Sequence, residues 1–183
     1  AAYLARGGRR VLVLERREVI GGACVTEEIW PGFKVSTAAY VNSLLRPEII
    51  RDLDLQRHGF EMLPRNPSSF TPFPDGRHLL LGPDPALNRR EISKFSAKDA
   101  EALPRYEKML EQVAGFIEPT LTQTPPDPWS GRVRDYAQLA KLAWRFAKLG
   151  RDGANAVEIL TGAARPILDR WFESEQLKVT LAT

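Results

Sequence analysis

The stretch RRVLVLERREVIGGACVTEE at residues 9–28 decides the fold. Its apolar run at residues 11–14 is continuous and rich in β-branched residues, and it follows a helix-like segment, which predicts a buried parallel strand. Glu15 closes this strand, and two adjacent glycines, Gly21 and Gly22, follow after five further residues. The order of strand, acid and glycine pair predicts the end of a βαβ unit followed by a loop.

Glu15 and the glycine pair are of residue types that nucleotide sites use. The acid at the end of the second strand of a nucleotide-binding βαβ unit accepts hydrogen bonds from both ribose hydroxyls of the adenosine. A solvated strand end is the alternative for Glu15 alone. Gly21 and Gly22 lack side chains, so backbone amides can approach a pyrophosphate, although an ordinary loop explains glycines by themselves. Strand, acid and spacing together favour nucleotide binding.

The composition is that of a globular protein, since 43% of the 183 residues are apolar and suffice for a core. The 26 Lys and Arg and the 23 Asp and Glu residues are spread along the chain, which argues against nucleic acid as a partner. No run approaches the roughly 20 apolar residues that span a bilayer, so no transmembrane segment is predicted, while peripheral membrane contact stays open. Cys24 is the single cysteine, which excludes an internal disulfide framework and favours a reducing compartment.

The sequence begins inside an element, with a helix-like segment at residues 1–6 that Gly7 and Gly8 end as a C-terminal cap. Neither an initiating Met nor a G-x-G-x-x-G turn precedes the apolar strand. We therefore expect an N- and C-terminally truncated piece of a longer protein. We also expect this piece alone to bind its cofactor poorly and to be inactive.

The segment E-x5-G-G after the VLVLE strand resembles the FAD-binding segment of the flavoprotein group that includes amine oxidases and phytoene desaturases. Two longer segments, ERREVIGGACVTEEIWPGFKVSTAAYVNSLLRPEII and DRWFESEQLKVTLAT, resemble the pyridine nucleotide-disulphide oxidoreductase domain-containing branch of the phytoene desaturase-related proteins. The resemblance runs over nearly the whole chain and is strongest at its two ends.

This resemblance implies that the cofactor is FAD, and it carries over to four positions. Glu15 matches the ribose-binding acid, and Arg17 matches a basic residue near the adenosine ribose or phosphates. Gly21 and Gly22 match the second glycine pair of the flavin site. Amine oxidases usually place Arg directly after this pair, whereas Ala23 stands there in this sequence, which favours the desaturase-like branch.

The predicted fold class is α/β, with an α+β second region. Residues 1–45 are expected to form part of a Rossmann-like FAD-binding domain, and residues 46–183 a substrate or cap region. That region is predicted to hold a small antiparallel sheet at about residues 59–82 and to be mostly helical from about residue 84. The expected strands lie at residues 60–63, 69–71 and 78–81. The expected helices lie at residues 46–55, 84–94, 96–118, around 139–146, 154–160 and 167–172.

The remaining chemistry-bearing residues predict no second site. Cys24 has no partner cysteine for dithiol chemistry and is expected to be a buried or half-buried neighbour of the cofactor. His58 and His78 have no acid or cysteine at metal-ligand spacing, so no metal site is predicted and both are expected at a surface.

Several aromatic side chains have two interpretations, an apolar channel for a lipophilic substrate or ordinary core, and core is favoured for each. These side chains are Trp30, Phe33, Tyr40, Phe70 and Phe73. Trp171 and Phe172 are expected to pack or to form an interface in the cap region.

The sequence favours an FAD-dependent oxidoreductase as the whole protein, with its catalytic residues unknown. In it, flavin would accept a hydride from a small-molecule substrate that is lipophilic or otherwise unknown. The alternative is a non-catalytic interaction module that retains the flavoprotein fold, and a simple NAD-binding βαβ domain is a weaker alternative. A bacterial protein would be cytoplasmic, a mitochondrial location stays open for a eukaryotic one, and the oligomeric state stays open.

Overall fold

A computed structural model of the chain describes residues 1–39, 41–42, 44–150 and 152–182. Its contacts divide the chain into two compact units, Ala1–Leu63 and Pro64–Thr183. Residues 46–63 therefore group with the N-terminal unit by contact. The end of the FAD-binding domain at residue 45 stays a prediction, because a compact unit is not in itself a binding domain.

The first unit contains short helices and one hairpin. Its elements are α1 (Ala2–Arg6), β1 (Thr26–Trp30), β2 (Phe33–Ser36) and α2 (Pro47–Asp52), with 3-10 turns at Gly22–Cys24 and Leu55–His58. The predicted end of α1 is confirmed. Gly8 has a φ of +74°, and its amide donates to the Ala5 carbonyl oxygen at 3.0 Å.

The hairpin of β1 and β2 is antiparallel, with Glu27 opposite Val35 in the register. Gly32 turns the chain at a φ of +82°, where glycine alone carries no steric penalty, and its amide donates to Glu28 Oε1 at 2.8 Å. The turn was predicted but the two strands were not. Adjacent acids in TEEIW and a mixed pattern after Phe33 hide the alternation that marks a strand.

The prediction of a buried strand at residues 11–14 is wrong for this structure. These residues carry no strand hydrogen bonds, and Leu12 and Leu14 are 80% and 83% exposed. A parallel strand is stabilised by neighbouring strands and by elements on both faces, and no described strand lies beside this run. Val25 is the one buried apolar side chain among the described residues of the unit.

The second unit joins a small antiparallel sheet to six helices in the part of the chain that the structure describes. Its elements are β3 (Ser69–Pro72), β4 (His78–Leu81), α3 (Pro85–Ser93), α4 (Ala97–Ile117), α5 (Val133–Ala147), α6 (Asp152–Thr161), α7 (Ala164–Trp171) and α8 (Glu175–Ala182). The predicted small sheet and helical remainder are confirmed. A strand at residues 60–63 is not formed, because no described segment pairs with it.

Local chemistry starts the two helices after the sheet where it was predicted. Asp84 Oδ1 accepts the Ala86 amide at 2.9 Å and caps α3. Ser96 Oγ accepts the Asp99 amide at 3.1 Å and caps α4, which continues through Pro104 to Ile117. The caps satisfy amides that have no acceptor within the helix.

The core of the second unit consists of two clusters. The first contains Leu79, Ile92, Ala100, Ala102, Leu103, Leu168, Phe172 and Leu177, and the second contains Met109, Val113 and Ala156. Tyr106 packs against both, with its ring 5.5 Å from that of Trp171 and 5.1 Å from that of Phe172. Trp171 and Phe172 were predicted to pack or to form an interface, and the structure shows them packing.

A fully buried carboxylate joins the start of α4 to the start of α8. Asp99 is 0% exposed and accepts the backbone amides of Glu173 and Ser174, each at 2.9 Å, together with the Ser174 hydroxyl. Ser96 donates its hydroxyl to Glu173 at 2.7 Å. These bonds satisfy the buried carboxylate and fix the segment before α8, and we call them the Asp99 clasp.

Candidate functional site

The four predicted cofactor residues lie in one segment before β1, residues 15–25, which we call the glycine loop and which is exposed apart from Val25. Glu15 Oε1 accepts the backbone amide of Arg17 at 2.9 Å, which closes a local turn. An ionised carboxylate has about four lone-pair sites, so this bond leaves Glu15 able to accept further hydrogen bonds. The exposed acid is therefore suited to a ligand that carries paired hydroxyls.

The Arg17 side chain connects the glycine loop to the hairpin of β1 and β2. Its Nη2 binds Glu27 Oε1 on β1, and both side chains stay partly exposed. This ion pair was not predicted, because nothing in the sequence marks Glu27 as the partner across the intervening loop. Part of the Arg17 charge is thus neutralised within the chain, and a role beside the ribose or the phosphates stays a prediction.

Gly21 and Gly22 adopt backbone conformations that side chains rarely allow. Their φ angles are +142° and +56°. A Cβ added to Gly21 would lie 3.0 Å from Val25 Cγ2, whereas one added to Gly22 would have no other atom within 4 Å. Gly21 therefore permits close packing on the buried Val25. Gly22 presents open backbone at the surface.

Cys24 follows this pair and is exposed, so the prediction of a buried or half-buried cysteine is wrong. The 3-10 turn directs its side chain outward, while the next residue, Val25, takes the buried position. His58 and His78 are exposed, as predicted. Among the described residues, no group of metal-ligating side chains is placed to hold a metal ion.

The predicted aromatic residues differ in how far their side chains are buried. Trp30, Phe33 and Phe70 are more than 60% exposed, so core is the wrong interpretation for them. Phe73 packs on the first core cluster, with its ring 5.4 Å from that of Phe95, and is core as predicted. Tyr40, the fifth aromatic residue considered, lies outside the described residues.

A known domain family and several known proteins are similar to this chain over the segment that contains the glycine loop. The NAD(P)-binding Rossmann-like domain family matches residues 1–53, which include the whole glycine loop. Pyridine nucleotide-disulfide oxidoreductase domain-containing protein 2 of Rattus norvegicus is 47% identical over the full length of this chain, and that of Mus musculus is 46% identical. This chain is a relative of those proteins.

The chain spans about a third, 34%, of the length of the two rodent relatives. A limonene dehydrogenase subunit of Castellaniella defragrans is 37% identical over 55% of this chain and 18% of its own length. No solved structure matches. The resemblance to the pyridine nucleotide-disulphide oxidoreductase branch is therefore confirmed, and so is the mixed α/β fold class with a Rossmann-like N-terminal part.

In this relative of the oxidoreductase domain-containing proteins, the Rossmann-like match indicates a dinucleotide cofactor of the NAD(P) or flavin type. The glycine loop fits such a group, because it offers an exposed acid and open backbone without a side chain in the way. Of the described helices, none is long and apolar enough to cross a membrane. The compartment stays a prediction, and the oligomeric state stays open.

Proposed function

We propose that the whole protein is an FAD-dependent oxidoreductase in which the flavin accepts a hydride from a lipophilic small molecule. The observation that carries this proposal is the glycine loop. It places an exposed acid, Glu15, before a glycine pair whose second member leaves the backbone open. The loop also lies within the segment that matches the Rossmann-like family.

The four residues predicted to bind the cofactor each have a role toward it. Glu15 accepts hydrogen bonds from the ribose hydroxyls, which requires a carboxylate at this position. Gly21 and Gly22 keep side chains away from the pyrophosphate. Arg17 holds the loop on β1 through Glu27 and adds positive charge near the phosphates. When bound, FAD supplies the hydride acceptor, while the protein supplies position and exclusion of water.

FAD is preferred to NAD because a double glycine after the strand-end acid is typical of the FAD group in the family resemblance. A lipophilic substrate is supported by the similarity to the limonene dehydrogenase protein, whose name refers to an apolar hydrocarbon. Ala23 supports a second candidate, a non-catalytic interaction module, because the arginine that amine oxidases place there is replaced by a neutral residue.

The acid in the glycine loop provides the test. In the whole protein, Glu15→Gln is expected to weaken FAD binding roughly tenfold or more, because it removes charge-assisted hydrogen bonds. Glu18→Gln changes another exposed acid of the same loop and is expected to have no effect. Flavin absorbance of the purified protein and titration of the apoprotein with FAD measure both variants.

The same preparation decides between the candidate functions. Yellow protein whose flavin absorbance bleaches on reduction by a lipophilic substrate supports the oxidoreductase. Colourless protein that does not take up added FAD rejects it and supports the interaction module. Tight NAD binding without FAD binding rejects the choice of cofactor. For the 183 residues alone, tight and stoichiometric FAD binding would contradict the expectation that this piece binds FAD poorly.

A further inference from the structure

A groove of about 570 Å³ lies in the Pro64–Thr183 unit, beside α5. Its walls come from the C-terminal end of α4, the linker that follows, α5 and one residue of α6. The volume lies within the usual range of small-molecule sites, roughly 300–1,000 Å³. No residue of the glycine loop lines this space, which we call the α5 groove.

Apolar side chains form about half of the lining of the α5 groove. They are Phe116, Ile117, Pro125, Pro126, Leu142 and Leu160. The two adjacent prolines have fixed φ angles, which stiffens the linker wall. The ring of Phe116 stands edge-on to that of Phe146 at 5.6 Å, which helps to fix the Phe116 part of the lining. These walls suit a hydrocarbon chain, because contact with them removes apolar surface from water.

Two cations of α5 border the same space. Lys141 and Arg145 are four residues apart, so they are neighbours on the helix surface. Arg145 Nη2 donates to the carbonyl oxygen of Phe116 at 2.5 Å and to that of Gly115 at 3.3 Å. These acceptors are neutral and orient the guanidinium without cancelling its charge. None of the described residues that line the groove is acidic.

We propose that the α5 groove binds an amphipathic monoanion, a hydrocarbon chain that ends in one carboxylate. The chain lies against the apolar walls, and the carboxylate pairs with Lys141 and Arg145. A charge-assisted hydrogen bond to guanidinium is stronger than a neutral one, so the head group contributes affinity as well as orientation. A neutral hydrocarbon leaves both cations uncompensated. The site requires no flavin, so its test is independent of the proposed function.

Oleate is the probe, titrated into the purified protein below its micelle concentration and followed by calorimetry. Oleyl alcohol retains the chain without the charge, and acetate retains the head group without the chain. We expect one saturable site for oleate, at least roughly tenfold weaker binding of oleyl alcohol, and no detectable binding of acetate. Oleyl alcohol that binds as tightly as oleate would overturn the role of the carboxylate.

Matched variants locate the site. Lys141→Gln is expected to weaken oleate binding roughly tenfold. Lys148→Gln removes the same charge from the residue that caps the C-terminal end of α5. It is expected to have no effect, because Lys148 Nζ lies 3.6 Å above the Trp144 ring and does not line the groove. Equal losses of oleate affinity in the two variants would mean that only the overall charge of the protein matters, which would overturn the proposal.

The apolar wall has its own pair of variants. Leu160 is 54% exposed and lines the groove, whereas Val157 is 49% exposed on the same helix and does not. Leu160→Ser is expected to weaken oleate binding several-fold, and Val157→Ser to leave it unchanged. Their exposure allows both variants to fold. Oleate binding that is absent or not saturable in the unmodified protein would overturn the proposed site. That result would leave the proposed FAD-dependent function untouched, whatever the FAD content of the whole protein.

Discussion

The two units of the chain differ in how many apolar side chains they bury. In the described part of Ala1–Leu63, Val25 alone is buried among the apolar residues, while Leu12 and Leu14 are about four-fifths exposed. In Pro64–Thr183, two clusters of buried side chains include residues of β4, α3, α4, α6, α7 and α8. The residues proposed for cofactor binding therefore lie in the unit that buries little, and the internal packing lies in the other.

Because of this difference, substitutions that change stability and substitutions that change cofactor binding are expected to lie in different units. Burial of apolar surface is the main favourable term in folding, so substitutions in the second unit act on its unfolding. Substitutions in the glycine loop act on a surface segment that the buried Val25 and the bond between Arg17 and Glu27 hold in place. The same kind of substitution is thus expected to have unequal effects in the two units.

The largest effect is expected from matched leucine truncations in the 183-residue chain. Leu168 is 1% exposed, so Leu168→Ala is expected to lower the free energy of unfolding by about 3 kcal/mol through loss of contacts and a cavity. Leu14→Ala is expected to change it by less than about 0.5 kcal/mol, because this side chain is 83% exposed. Urea unfolding followed by circular dichroism measures both.

Equal losses in the two leucine variants would remove the contrast between the units. A large loss of unfolding free energy for Leu14→Ala in the whole protein, but not in this chain, would sharpen the contrast between the units. That result would mean that further parts of the protein cover residues 11–14.

An intermediate effect is expected from Gly21→Ala. The added Cβ would lie 3.0 Å from Val25 Cγ2, at a φ of +142°, so the glycine loop must shift. We expect FAD binding by the whole protein to weaken about tenfold. Gly59→Ala is the control, because Gly59 also has a positive φ, +86°, but lies outside the loop and has free space around it. Similar FAD affinities in the two variants would contradict a specific role for the loop.

The smallest effect is expected from a buried acid of the second unit. The hydrogen bond from Lys94 Nζ at 2.7 Å, assisted by the Leu80 amide at 3.3 Å, holds the pKa of Glu91 below its ordinary value, although burial opposes this. A lowered pKa in the folded state contributes stability above the unfolded-state pKa, about 4.3, which is lost as pH falls through the folded value.

Glu91→Gln is therefore expected to reduce the loss of stability between about pH 6 and pH 3. Unfolding by urea at a series of pH values measures this slope. Glu101→Gln, an exposed position on α4, is expected to leave the slope nearly unchanged. A slope that is unaltered in Glu91→Gln would contradict the assignment.

Features of the fold that depend on local chemistry were predictable from the sequence. Asp84 and Ser96 mark helix starts through their own hydrogen bonds to nearby amides, and Gly8 marks a helix end. The strands β3 and β4 were predictable because prolines and the turn at Gly76 limit them on both sides. These signals act within a few residues and need no tertiary context.

Long-range contacts were not predictable. The apolar pattern of residues 11–14 indicates that these side chains favour burial, but it does not indicate which element covers them. Similarly, nothing in the sequence connects Asp99 to Ser174, or Arg17 to Glu27. The family resemblance identified the glycine loop, and the structure added the reason that a side chain at Gly21 would be strained, namely its φ of +142° and its closeness to Val25.

The Asp99 clasp also affects the order in which the second unit forms. The bond from the Glu173 amide to the Asp99 carboxylate joins residues 74 positions apart. Contacts of such long sequence separation form late, since a large loop must close before they contribute. During synthesis, α4 therefore leaves the ribosome before the Glu173 and Ser174 amides that satisfy Asp99 have been made. Asp99 is expected to stay hydrated, and the packing around it incomplete, until the segment around Ser174 has been made.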